Sequence, residues 1–527
     1  MPSLVLTNAR VLTLDPGRPE AWGVEVEGGV VQRLLAGREE LARRAQDEVV
    51  DLRGLTLCPS FADAHVHLQS WASGTAAVDL SDSKDLPDAL NRLLRAGRGL
   101  PAGEWLRGRS WNRNAWTDTS WPTRDDLDGV CPDRPAVIDG LDLHSCWVNS
   151  LALETLGLAG PLPPEGAVGL RGVMTERKSG RQRATGVMRE DAAQAMWDRV
   201  PALAGGALGR AIRRAAARLY GCGVTAVADF DGLPAARAYA ELGEPLHVLG
   251  SIRLTDLQDA ERERLVAGTR LGARVTMGCL KLFLDGSLGS KSAWMAEPFE
   301  TGVEDRGMGL FSDGELARVA ERGLAGGWTL ALHAIGDRAN RQALALFEQV
   351  RRTHPRARLR IEHAQLLHPA DVTRFAELGV LASMQPSHVP DDIPTADREW
   401  GLRSRLAYAL ASLGAAGTEV AFGSDVPVGD PDPRAGLEAA VWRQDRAGRP
   451  PGGWYPAERI GAREAFRAYT VSAQAACGLG LRSGRIAPGC NGDVMALEGD
   501  PLAPHPRELA VRATWIAGEA VHDALQR

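Results

Sequence analysis

Leu57-Cys-Pro-Ser-Phe61-Ala-Asp63-Ala-His65-Val-His67-Leu68 is an apolar run ending on two histidines, and it opens the part of the chain that decides the fold. Seven further runs follow it: Val224–Phe230, His247–Ile252, Leu280–Asp285, Thr329–His333, Leu359–His363, Leu381–Gln385 and Val420–Asp425. Helical segments such as Gly209–Tyr220 and Gly314–Ala325 lie between them. Short buried strands alternating with helices make a parallel sheet, and eight such units predict a closed (β/α)8 TIM barrel. An open doubly wound sheet is disfavoured, because no G-x-G-x-x-G follows a strand.

One connection is too long for a barrel loop. About 150 residues separate His67 from Val224, where roughly 30 complete a βα unit. The excess predicts a long insertion after barrel strand 1, over about residues 69–205 and above the barrel mouth. It carries seven of the 14 tryptophans, at 71, 105, 111, 116, 121, 147 and 197. They serve either as the core of the insertion or as a lid that encloses substrate.

The two ends of the chain have a different rhythm. Leu4–Leu14, Gly23–Glu27 and the Gly28-Gly29 turn read as hairpins, and so do Gly492–Leu497, Ala513–Ala517 and Glu519–Val521. Neither group can bury a face alone, so residues 1–57 and 483–527 are expected to form one small β-sandwich beside a barrel spanning 58–482.

Composition limits the function classes. Lys plus Arg is 61 against 67 for Asp plus Glu, a net charge of −6 with no separate basic cluster, which argues against a nucleic-acid partner. No apolar run of about 18 residues offers a membrane span, and Met1–Asp15 lacks the character of a signal peptide. The seven cysteines are scattered, odd in number and free of C-x-x-C, which fits a reducing compartment. A cytoplasmic protein acting on a small molecule is expected. Only four lysines (84, 178, 281, 291) stand against 57 arginines, so a lysine retained inside an apolar strand marks a place where a guanidinium would fail.

The strand ends carry the chemistry. His65 and His67 share one face of their strand. His333-Ala-Ile-Gly-Asp337, Glu362-His363-Ala-Gln365 and Phe422-Gly-Ser-Asp425-Val-Pro427 also close strands. Four of the eleven histidines and one carboxylate thus converge where barrels place active sites. Imidazole and carboxylate donors without thiolate suit Zn, and also Mn, Fe, Co or Ni. His65, His67 and Asp425 can hold one ion. His333 and His363 can hold a second, provided an anion bridges the two. Lys281, on strand 4, is the candidate: burial and neighbouring cations favour its neutral amine, which can capture CO2 as a carbamate. The competing reading pairs Lys281 with Asp285 or another acid.

These phrases resemble the amidohydrolase superfamily, and within it the branch of N-substituted formamide deformylase-like metal-dependent hydrolases. The resemblance covers nearly the whole chain. It is carried by Phe61–Leu68, Leu280–Ser290, His333–Asp337, Arg360-Ile-Glu-His363-Ala-Gln365, Ser383-Met-Gln385-Pro-Ser-His388, Gly423–Pro427, Gly452-Gly-Trp454 and Ala468-Tyr-Thr470. It implies a β-sandwich-plus-barrel architecture, a homodimer, and two divalent metals, Zn foremost. His65, His67 and Asp425 would bind one, His333 and His363 the other, with carboxylated Lys281 as the bridge. The lysine, and the lack of Ala-Gly-Glu after His333, set the chain apart from the mononuclear deaminase branch.

The implied reaction is hydrolysis of an amide-type C–N bond in a small, apolar N-acyl or N-formyl compound. Metal-bound hydroxide attacks the carbonyl and Asp425 carries the proton to the leaving amine. Candidate substrate contacts are Trp111, Asp142, His144, Gln385 and His388, with Trp116 beside Trp111. The ligand set alone leaves open a mononuclear deaminase, an esterase or lactonase, and a non-catalytic binding protein on the same scaffold.

Overall fold

The computed structural model describes residues 3–41, 48–75, 77–101, 103–111, 116, 118, 120–140, 145–162, 172–189, 191–289, 291–302, 304–445, 447–503 and 508–525. It divides into two compact units, Met1–Ser70 with Arg213–Arg527, and Trp71–Ile212.

The first unit contains the barrel. Its strands are β1 (Phe61–Val66), β2 (Val224–Asp229), β3 (His247–Arg253), β4 (Val275–Phe283), β5 (Thr329–Ala334), β6 (Leu359–His363), β7 (Leu381–Met384) and β8 (Val420–Phe422). They form one eight-stranded sheet in sequence order, every neighbouring pair parallel. The segment after β8 completes the circle: the Asp425 amide donates to the His65 carbonyl at 2.7 Å, and the His67 amide to the Val426 carbonyl at 2.9 Å. The helix Asp313–Ala325, between β4 and β5, starts on a capping box in which Ser312 and Glu315 satisfy each other's backbone.

Two strands differ from the sequence expectation. The run from Leu57 divides at Ser60: Thr56–Pro59 pairs with the C-terminal strand Val494–Glu498, while Phe61 onward pairs with β2. The Ser60 hydroxyl, 2.6 Å from that of Thr225, ties the two sheets at the break. β4 begins at Val275 rather than Leu280, since Val275–Met277 already pair with Val248–Gly250 of β3; Gly278 accommodates Leu249, as a Cβ there would lie 2.6 Å from Leu249 Cγ.

Both chain termini contribute to the two remaining sheets of this unit. One holds Leu4–Thr7, Gly23–Glu27, Val30–Leu35 and Glu48–Asp51. The other joins Arg10–Leu12, Glu20–Ala21 and Thr56–Pro59 to Val494–Glu498, Ala510–Ile516 and Glu519–Asp523. Leu6, Val11, Val24, Leu57, Val494 and Trp515 from both sheets share one core, which makes the pair a β-sandwich.

The second unit has its own six-stranded sheet, running from Val173–Lys178 through Arg181–Arg189, Ser145–Val148, Ala136–Gly140 and Leu106–Trp111 to Val78–Asp79. Trp111, Trp116 and Trp147 are buried in its core with Leu93, Ile138 and Val187. All seven cysteines of the chain are free. Among the described residues no helix is long and apolar enough to cross a membrane.

Candidate metal centre

The C-terminal ends of β1, β4, β5, β6 and β8 bring the candidate ligands together. Nε2 of His65 and Nε2 of His67 lie 3.5 and 3.6 Å from Oδ1 of Asp425. One donor atom from each of the three fits within 4.8 Å of the others. The His65 and His363 ring centroids are 4.9 Å apart, and those of His363 and His333 are 4.5 Å apart. His363 and Asp425 have left-handed backbone, with φ of 71° and 56°. Such conformations persist only where the surroundings impose them.

Local contacts explain how Asp425 arrives there. The Asp63 carboxylate, fully buried on β1, accepts from the backbone amides of His65 at 3.0 Å and Ser424 at 2.9 Å. It clamps the last strand to the first. Gly423 permits the approach, since a Cβ would stand 2.5 Å from the His65 amide nitrogen.

Each imidazole has one nitrogen held from behind. Nδ1 of His65 donates to Glu362 at 2.7 Å, and Nδ1 of His67 to Asp231 at 3.3 Å. Nε2 of His333 donates to the Gly286 carbonyl at 3.0 Å, and Nδ1 of His363 to Oε1 of Gln385 at 2.9 Å. The opposite nitrogen of every ring keeps its lone pair, the arrangement that metal-ligating histidines require. Burial, reinforced by neighbouring positive charge, holds the pKa of His65 and His363 well below the ordinary value and that of His333 down at about 3. These three rings are therefore neutral.

Lys281 sits among them, 2% exposed. Its Nζ has no hydrogen-bond partner and lies 4.1 Å from the centre of the Phe230 ring. Burial brings its pKa down to about 8. Asp285 is not its partner, because that carboxylate accepts from the backbone amides of Trp294, Ile335 and Gly336 at 2.8–3.0 Å. Nε2 of His65 is likewise buried without a partner. Two orphaned nitrogens beside a carboxylate are what a buried cation and an anionic bridge would satisfy, so the donor set fits the expected metals.

The expected substrate contacts fare differently. Asp142 and His144 lie outside the described residues. Gln385 is buried and engaged with His363 and with the Ser383 carbonyl. His388 is half-buried and donates from Nε2 to the Ser424 carbonyl at 3.0 Å, on the loop that carries Asp425. Trp111 is 4% exposed, with the Trp116, Trp121 and Trp147 rings 6.1–6.4 Å away, a packing position in the second unit's own core. Reading from sequence missed Glu362 and Asp231. Their signal was present in Arg360-Ile-Glu362, two charges on alternate positions of an apolar strand, and in Asp229-Phe-Asp231 at the end of β2.

A family model described as the amidohydrolase family matches residues 48–522. The chain belongs to the amidohydrolase family. It is 28% identical over 527 residues to the putative amidohydrolase YtcJ of Bacillus subtilis, covering 95% of this chain and 96% of that protein. It is also 28% identical over 554 residues to the N-substituted formamide deformylase of Arthrobacter pascens, covering 98% of each. Among solved structures, an uncharacterized metal-dependent hydrolase from Pyrococcus furiosus superposes with a TM-score of 0.79 at 27% identity, over 95% of this chain and all of that one. Family, structural relative and the cluster of His65, His67 and Asp425 together make this amidohydrolase a metal-dependent hydrolase with a site for a divalent ion.

Proposed function

We propose that this amidohydrolase cleaves an amide-type C–N bond of a small N-acyl or N-formyl compound at a binuclear centre. His65, His67 and Asp425 would hold one ion, and His333 and His363 the other. Lys281 would bridge them as a carbamate. The observation that carries this reading is the buried, unpartnered Nζ of Lys281 among the five other candidate ligands. A neutral amine there adds CO2, releases a proton and becomes an anion, which a guanidinium does not readily do. Arg at this position would also leave a permanent charge against the ions.

Divalent cations, when bound, supply an acidified water and an electrophilic partner for the carbonyl oxygen, with Zn favoured by the imidazole-rich donor set. Asp425 moves the proton. Burial raises its pKa above the ordinary carboxylate value, which suits a group that takes a proton as water attacks carbon and returns it to nitrogen as the C–N bond breaks. The similarity to a formamide deformylase favours N-formyl and N-acyl amines as substrates. Trp111 packs in the core of the second unit and lends no support to an apolar substrate.

Metal analysis of protein produced with bicarbonate and zinc or manganese, followed by assay of N-formyl and N-acyl amines against matched esters and lactones, tests the reading. Two ions per chain and amide cleavage are expected. One ion would favour a mononuclear centre. None after reconstitution would leave a binding protein.

A further inference from the structure

The hydrogen bonds behind the four histidines are of two kinds. His65 and His67 each donate to a carboxylate, Glu362 and Asp231. His333 and His363 donate to neutral oxygens, the Gly286 carbonyl and the Gln385 amide; the Asp285 carboxylate stands farther from Nε2 of His333, at 3.7 Å, with its oxygens taken by three backbone amides. A carboxylate behind an imidazole makes it a stronger donor to a cation than a neutral acceptor does, and losing such a partner commonly lowers metal affinity about 10- to 100-fold.

The two carboxylates are themselves held in place. Glu362 is fully buried, and its Oε2 accepts from Nη2 of Arg360 at 3.0 Å; the same nitrogen lies 2.6 Å from the Ala64 carbonyl and 2.9 Å from the Ser383 hydroxyl, to which it also donates. The Arg360 guanidinium offsets the charge of Glu362 without displacing it from His65. Asp231 accepts from the amide and hydroxyl of Ser70 at 2.9 and 2.7 Å, with Arg253 3.5 Å away. Asp425 adds a further anionic donor beside His65 and His67, whereas the anionic ligand open to His333 and His363 is the carbamate of Lys281, Asp285 being held by backbone amides.

We propose that the two halves of the centre differ in affinity. The His65–His67–Asp425 half fills first and tightly; the His333–His363 half fills second, weakly and only with CO2 on Lys281. Glu362 and Asp231 are the positioning residues that set the difference. This inference rests on the two-ion reading above. Its consequence is a half-loaded protein whenever metal or bicarbonate is scarce.

Chelator-competition titration of the whole, metal-stripped chain with Zn2+ in the presence of bicarbonate tests it. Two steps separated by at least about tenfold are expected. Glu362→Gln and Asp231→Asn should each weaken the tight step about tenfold and leave the weak step in place, while Gln385→Glu should strengthen the weak step. Melting of each metal-free variant identifies any that fails to fold. Glu362→Gln exposes a buried Arg360 to that risk, and Asp231→Asn and Gln385→Glu then carry the test. Two ions bound with one common affinity, or folded variants that leave both steps unmoved, would overturn the inference alone. A single ion at saturating Zn2+ and bicarbonate would overturn the two-ion reading and the inference with it.

Discussion

Oδ1 of Asp425, beyond the last barrel strand, stands 3.5 Å from Nε2 of His65 on the first. Closing the barrel is therefore the same event as assembling the ligands, since the Asp425 amide donates to the His65 carbonyl in the joint itself. Asp425→Asn keeps the size and the backbone bond but cannot accept a proton. Turnover should fall on the order of 10³-fold, with the thermal transition and circular dichroism little changed. Activity within a few-fold of the parent would remove Asp425 from the role of proton carrier.

Lys281 sets function against stability. A buried amine with no hydrogen-bond partner costs free energy, on the order of 1–3 kcal/mol for an unsatisfied polar group. Lys281→Met fills a similar volume without the nitrogen. The metal-free variant is expected to melt above the metal-free parent, to hold one Zn2+ per chain rather than two, and to lose activity together with any response to bicarbonate. A variant that still takes up two ions would show that Lys281 is not the bridge.

Trp111 and its neighbours should act on stability. With the ring 4% exposed among Trp116, Trp121 and Trp147, Trp111→Ala opens a cavity and is expected to cost about 3–5 kcal/mol. Limited proteolysis should then cut first within Trp71–Ile212. A selective rise in KM with unchanged melting and proteolysis would instead place the ring against substrate.

The difference between these residues shows what a linear sequence carries. The eight barrel strands were legible because each is a short apolar run with a chemically distinctive end, and His65, His67, His333, His363, Lys281 and Asp425 all sit at or near such ends. Glu362 was not legible in its role. Strict alternation on β6 sends Glu362 and His363 to opposite faces, yet both meet His65, because the left-handed backbone at His363 turns its ring back toward the centre. Trp111 illustrates the converse. A large aromatic side chain fits a core or a substrate wall equally well, and only its neighbours in three dimensions decide. The division of Leu57–Leu68 between two sheets was hidden for a related reason, as an unbroken apolar run does not mark where one sheet hands over to another.

Acid stability should depend on Glu399, far from the ligands in sequence and on the helix Val389–Trp400. Burial opposes its charge, but hydrogen bonds from Thr301, Arg398 and Lys291 outweigh burial and hold the carboxyl at about 2, below the ordinary 4.5. Arg398 reaches one oxygen at 2.7 Å and Lys291 the other at 3.1 Å, tying the β4–β5 connection to the helix after β7. The folded state thus binds this proton less readily than the unfolded chain. The stabilisation is complete above the ordinary value and declines as pH falls from about 4.5 toward 2. Glu399→Gln removes the ionisation while keeping the shape. Its melting temperature should lie below that of the parent at neutral pH, and the gap should narrow steadily on acidification. A gap that stays constant with pH would mean that the bonds around Glu399 act by geometry rather than by charge.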